Sequence, residues 1–143
     1  MTIARAYGPL TLSLVNAELN YTANAINAAL FTSTYVPNQD THRYWTDLSG
    51  ECTGTNYTAG GVALTGKTAS YDGTTNTLKL TTTVTPITFT AVTLANIRYL
   101  VLYQNSGTKP LLSYMDFEAT YSASAQDVKI AVPTTGLVQL VVA

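Results

Sequence analysis
The chain has 143 residues and a formal net charge of −1 from seven basic and eight acidic side chains, so charged residues make up only 10% of it, against about 25% in an average soluble protein. That balance leaves no basic surface to neutralise a run of phosphates or hold an anionic bilayer, which argues against nucleic-acid and polybasic membrane contacts. One Cys and one His exclude an intrachain disulfide and a multi-Cys/His zinc site, while 46% hydrophobic content argues against disorder and predicts a single domain over 1–143.

Two long uncharged stretches, 19–39 and 80–97, are broken by Asn or by Thr and Pro86, so neither is the continuous apolar run of about 20 residues that a bilayer needs. The first residues lack the charged start and apolar core of a signal peptide, and the expectation is synthesis and retention in a cytosol.

In chain order, residues 12–19 read as a short helix or a strand, and 25–32 as a strand entering a sheet. Residues 41–48 (THRYWTDL) have the spacing of one or two helical turns, and 49–61 (SGECTGTNYTAGG) reads as a loop. Beyond this the pattern is β, helped by 26 threonines, whose branched polar side chains suit the outward face of strands. In residues 77–84, Leu78, Leu80 and Val84 alternate with Lys79, Thr81 and Thr83, which predicts a half-buried strand. Residues 87–91 and 128–132 alternate similarly, whereas 98–103 (RYLVLY) is apolar on both faces and predicts a central strand.

Turn residues then pair these runs. Asp72-Gly73 and Asn76 lie between 67–71 and 77–84, residues 105–110 join 98–103 to 111–117, and 133–136 join 128–132 to 137–142. Three hairpins follow. The predicted class is all-β, an antiparallel β-sandwich or jelly-roll-like double sheet, with one or two short helical turns in the N-terminal third.

Residues 61–68 (GVALTGKT) fit the phosphate-binding pattern GxxxxGK(S/T). That chemistry needs a buried strand before the loop and a helix after it, so that backbone N–H groups surround the phosphates. Here a Gly-rich loop precedes the match, and residues running into the Asp72-Gly73 turn follow it, so Lys67 is expected to be a solvent-facing strand residue. Asp116 would have to supply the metal-binding carboxylate, yet it lies in a predicted hairpin.

The segment Asp40-Thr41-His42-Arg43-Tyr44-Trp45-Thr46-Asp47 holds the sole His and sole Trp. An acid–base pair, or metal ligation by Asp40 and His42 with a remote Glu51, is conceivable there. The alternative is structural, with Asp40 capping a helical turn and Tyr44 and Trp45 packing on the sheet. Cys52 has no neighbouring cation and reads as an idle thiol. Asn20 and Asn56 match glycosylation sequons by chance in a chain rich in Asn and Thr, and the ten tyrosines offer a weak case for stacking on sugars. No cofactor and no metal is implied, and no catalytic signature emerges.

The segments AALFTSTYVPNQDTH (28–42) and GTNYTAGG (54–61), followed by 99–103 and 111–117, resemble small structural proteins of tailed-bacteriophage virions over about residues 10–142. The resemblance implies a non-enzymatic virion component on the outer capsid surface, made in the host cytoplasm. A capsid decoration or cement protein that binds the major capsid protein as a trimer or another symmetric oligomer is expected. A tail-fibre, baseplate or head-fibre component touching host glycans is the alternative. The expected partner contact is the aromatic, non-periodic stretch Tyr35, Val36, Pro37, Asn38, Gln39 and Asp40 with adjoining Tyr44 and Trp45, because interface anchors concentrate in such loops. Scarce charge points the same way, towards surface hidden between subunits.

Overall fold
In a computed structural model, which describes residues 3–143, two antiparallel sheets pack around a shared apolar core. The elements are β1 (Ala4–Ala6), α1 (Leu10–Val15), β2 (Ile26–Thr32), β3 (Val62–Ala63), β4 (Lys67–Asp72), β5 (Thr77–Thr82), β6 (Ile87–Gln104), β7 (Leu111–Ile130) and β8 (Val138–Val141). One sheet has five strands in the order β1-β7-β6-β2-β3, and the other has three in the order β4-β5-β8. This is the all-β sandwich expected from the alternation and turn chemistry.

The larger sheet is apolar on both faces because β2 and β6 carry hydrophobic residues at consecutive positions. Ile26, Ala28, Leu30, Leu100 and Leu102 face the smaller sheet's Leu80 and Val138, while Ala29, Phe31, Val101 and Tyr103 face a second aromatic cluster on the opposite side. β6 is the middle strand of the five, as its two-sided apolar pattern predicts.

Two predicted boundaries move. The runs at 87–91 and 98–103 are one 18-residue strand, β6, and those at 111–117 and 128–130 belong to one 20-residue strand, β7. Residues 91–97 and 117–126 carry repeated register shifts, with Ala91, Asn96, Glu118 and Ala125 at positive φ. Bulges absorb the extra residues and bend the ribbon without ending the ladder.

The predicted hairpin around 133–136 does not form. Val128 and Ile130 pair with Phe89 and Ile87 of β6, whereas β8 crosses to the other sheet and places Val138 opposite Leu80 of β5. Burial decides this, since Leu137 and Val138 enter the core and the Leu137 N–H donates to the Leu80 carbonyl at 2.8 Å. The predicted β4–β5 hairpin forms, from Lys67 opposite Thr82 to Asp72 opposite Thr77. Val84 lies beyond the end of β5 and is exposed rather than half-buried.

In the N-terminal third, helix wins over strand at 12–19, but it begins earlier, after Pro9, and closes at Ala17 (φ 56°), where the Glu18 N–H reaches back to the Ser13 carbonyl at 2.9 Å. The following loop is pinned by the buried Gln104 amide. Its Oε1 accepts the Asn20 N–H at 3.0 Å, and its Nε2 donates to the Glu18 carbonyl at 2.9 Å. Residues 41–48 form only a 3-10 turn at Trp45–Asp47.

Candidate functional site
The outer face of the five-stranded sheet is half covered by the 35–48 segment, and this cover determines which predicted contact residues reach solvent. Tyr35 does not reach it: the side chain is 1% exposed. Its hydroxyl shares hydrogen bonds with the Tyr7 hydroxyl at 2.7 Å and His42 Nδ1 at 3.0 Å, and its ring meets Phe31, Tyr99 and the His42 imidazole. Tyr35 is a core residue, which corrects its expected place as a surface anchor. Its apolar neighbours and hydroxyl partners on the sheet outweigh the irregular backbone around it. Burial pushes its phenol up to about 12 and drives that of Tyr7 well above the usual tyrosine range, so both stay neutral donors.

Trp45 also faces inward, 4.2 Å from the Tyr103 ring and 5.7 Å from the Phe31 ring. The Tyr44 hydroxyl donates to the Glu18 carboxylate at 3.1 Å, beside an Arg43–Glu18 ion pair of the same length. Asp40 does not cap the turn. Asp47 does, accepting the N–H groups of Arg43 and Tyr44 at 2.8 and 2.9 Å, and Asn38 Oδ1 accepts those of Asp40 and Thr41 at 3.1 Å. These two backbone donors hold the Asp47 carboxyl below its ordinary range. Gln39 is tied to β1 through the Ala6 carbonyl at 2.8 Å. Of the predicted loop, Val36 is the conspicuous exposed apolar side chain, at 75%, and Pro37 beside it is half-buried.

The other sequence candidates are occupied structurally. Lys67 is half-buried rather than solvent-facing, and its ammonium donates to the Asn24 carbonyl. Strand β4, not a helix, follows the phosphate-like pattern. Gly61 (φ 76°) serves close packing, since a Cβ there would lie 1.9 Å from the Ala28 carbonyl oxygen. Glu51 accepts the Gly60 N–H at 2.6 Å and the Tyr57 hydroxyl at 3.0 Å, and among the described residues no three His, Cys, Asp or Glu groups converge to hold a metal. Cys52 is buried, and burial pushes its thiol up to about 12. Asn56 donates to the Ala91 carbonyl at 3.0 Å.

Two concavities share Ile3, and the smaller of them borders the loop at Pro37. The larger, of about 730 Å³, is lined by Ile3, Phe117, Tyr121, Val128, Ile130 and Val132 among others, between the bulged half of β7 and the 131–135 segment. Ile3 and Tyr121 are 51% and 57% exposed there. The smaller groove, of about 250 Å³, is polar and shares Ile3. Its walls are Arg5 of β1, Tyr99 of β6, Tyr114, Asp116 and Glu118 of β7, and Pro37 of the loop.

Strand pairing explains the groove. Arg5 pairs with Tyr114 and Asp116 with Tyr99 across three neighbouring strands, so these side chains share one face. Asp116 is held by Arg98 through Nε at 2.5 Å and Nη2 at 3.1 Å, and its Oδ1 accepts the Glu118 N–H at 2.7 Å. Burial raises the Asp116 carboxyl, but Arg98 and that N–H outweigh it and keep it below the usual aspartate range. The one sequence signal for either concavity was Tyr121, a large side chain amid Ser, Thr and Ala. Compared with known proteins, the chain matches no family model, no curated protein and no solved structure.

Proposed function
We propose that this chain is a non-enzymatic structural component of a viral particle, a capsid decoration or cement protein that binds the major capsid protein on an assembled shell. The observation carrying this reading is the 730 Å³ apolar concavity with exposed Ile3 and Tyr121 on its lining. Apolar surface of this kind favours burial against another protein. The segments at 28–42 and 54–61 that resemble virion proteins supply the kind of partner, and the 10% charged content favours a trimer or another symmetric oligomer in which further surface is covered.

In this reading a ridge of the shell subunit fills the concavity, and copies bridging adjacent subunits oppose shell expansion under genome pressure. Tyr121 takes the place that Tyr35 held in the sequence expectation. The test is co-sedimentation of purified protein with shells stripped of it. Saturable binding is expected, weakened about tenfold or more by Tyr121→Asp or Val132→Asp, as for central interface residues, with unchanged circular dichroism. Shells should also release their genome at a lower temperature without the protein. Undiminished binding by both folded variants, or equal heat resistance with and without the protein, overturns the reading.

A further inference from the structure
The geometry points to a second binding site, a subsite for one neutral pyranose ring of a glycan, in the polar groove formed by Arg5, Pro37, Tyr99, Asp116 and Glu118. It goes beyond shell docking and does not rest on it.

Charge balance selects the ligand class. The groove and its immediate support hold two guanidinium groups, Arg5 and Arg98, and two carboxylates, Asp116 and Glu118. A cationic ligand drawn to the carboxylates meets two arginines, and an anionic ligand drawn to Arg5 meets Glu118. A neutral ligand offering both donors and acceptors matches all of them. Adjacent ring hydroxyls do this, since one can donate to the Glu118 carboxylate while its neighbour accepts from Arg5.

Size and shape agree. A volume of about 250 Å³ is too small for a drug-sized ligand, whose pockets start at about 300 Å³, but accommodates a single six-membered ring with its hydroxyls. Ile3 and Pro37 give the groove an apolar side for the C–H face of such a ring, while Tyr99 and Tyr114 add amphipathic surface.

The groove is also pre-organised. Arg98 grips Asp116 in two places, and Asp116 in turn holds the backbone of Glu118 at φ 63° by accepting its N–H. A non-glycine residue in the left-handed region carries a conformational cost, and here that cost sets Glu118 at the groove wall. The Asp116 carboxylate and the Glu118 backbone, already held, lose little freedom on binding, which favours recognition of a small ligand.

Amide NMR spectra of the whole chain, titrated with the methyl glycosides of glucose, galactose and mannose and with N-acetylglucosamine, test the proposal. At least one sugar should shift the amides of Arg5, Val36, Asp116 and Glu118 saturably, and glycerol, an acyclic polyol, should not. Arg5→Met and Glu118→Gln should each weaken that binding about tenfold, a loss of about 1.4 kcal/mol, without altering the rest of the spectrum. Neither residue belongs to the apolar concavity, so shell attachment should persist in both. Absence of saturable shifts with all four sugars, equal shifts with glycerol, stronger binding of glucosamine or N-acetylneuraminic acid, or undiminished binding by both variants overturns the proposal.

Discussion
Tyr35 shares a buried hydrogen bond of 2.7 Å with the Tyr7 hydroxyl. Its position in a Pro- and Asn-rich stretch predicts a loop residue, and the backbone there is indeed irregular, yet the ring lies between Phe31, Tyr99 and His42 with its hydroxyl bonded to Tyr7. Tyr35→Phe should therefore destabilise the fold by about 1–3 kcal/mol, because it strands the buried Tyr7 hydroxyl. Urea denaturation of Tyr35→Phe, Tyr7→Phe and the double variant checks this, and the double loss should be smaller than the sum of the single ones. Equal stability of Tyr35→Phe and wild type would show that the bond contributes nothing. Asp116 gives a pH signature. Its folded pKa is depressed, so its contribution is complete above the ordinary value of 3.8 and disappears as pH falls through the lower folded value. The difference in melting temperature between wild type and Asp116→Asn should be largest near neutrality and shrink as the pH falls below 3.8 and the carboxylate is protonated in the folded protein. A difference independent of pH would remove the ion pair as its cause.

At the scale of elements, the legible features were those carried by local pattern. Period-two alternation located β5, two-sided apolarity located the middle of β6, and Asp72-Gly73 with Asn76 located the β4–β5 turn. The failures came where long-range burial overrode local signals. Nothing in Thr90-Ala91-Val92 announces a bulge, since Ala91 takes a positive φ without Gly or Asn to mark it. The 133–136 turn was real as chain reversal, but its outgoing strand found a better partner in β5 than in β7. The groove was illegible because its walls come from residues more than 100 positions apart, brought side by side only when β1 pairs with β7. Bulge strain makes a prediction at this scale. Ala125 (φ 49°) replaced by Gly should stabilise the protein by about 0.5–1 kcal/mol by relieving a left-handed alanine. Ala123→Gly, at a buried position with ordinary φ, should destabilise it instead. Paired thermal melts decide, and destabilisation by both would show that the bulge costs little.

For the whole molecule, the decisive quantity is how little charge covers it. With 15.3 kDa of chain carrying 10% charged residues and apolar side chains exposed at Ile3, Val36, Tyr121 and Val141, purified protein should scatter light as a symmetric oligomer. A monomer both alone and in the presence of shells would contradict that expectation.

The long β6–β7 ribbon has a mechanical consequence. Its two strands are joined at 105–110 and end together at the Ile87–Ile130 pair. Tension drawing Ile87 from Ile130 peels the ladder one rung at a time and meets little resistance. Tension along β7, shared with β6 on one side and β1 on the other, loads many rungs in shear at once. The protein should behave as an anisotropic strut, stiff along its strands and weak at one corner, so that in the proposed cement role its orientation on the shell would decide whether it holds or unzips.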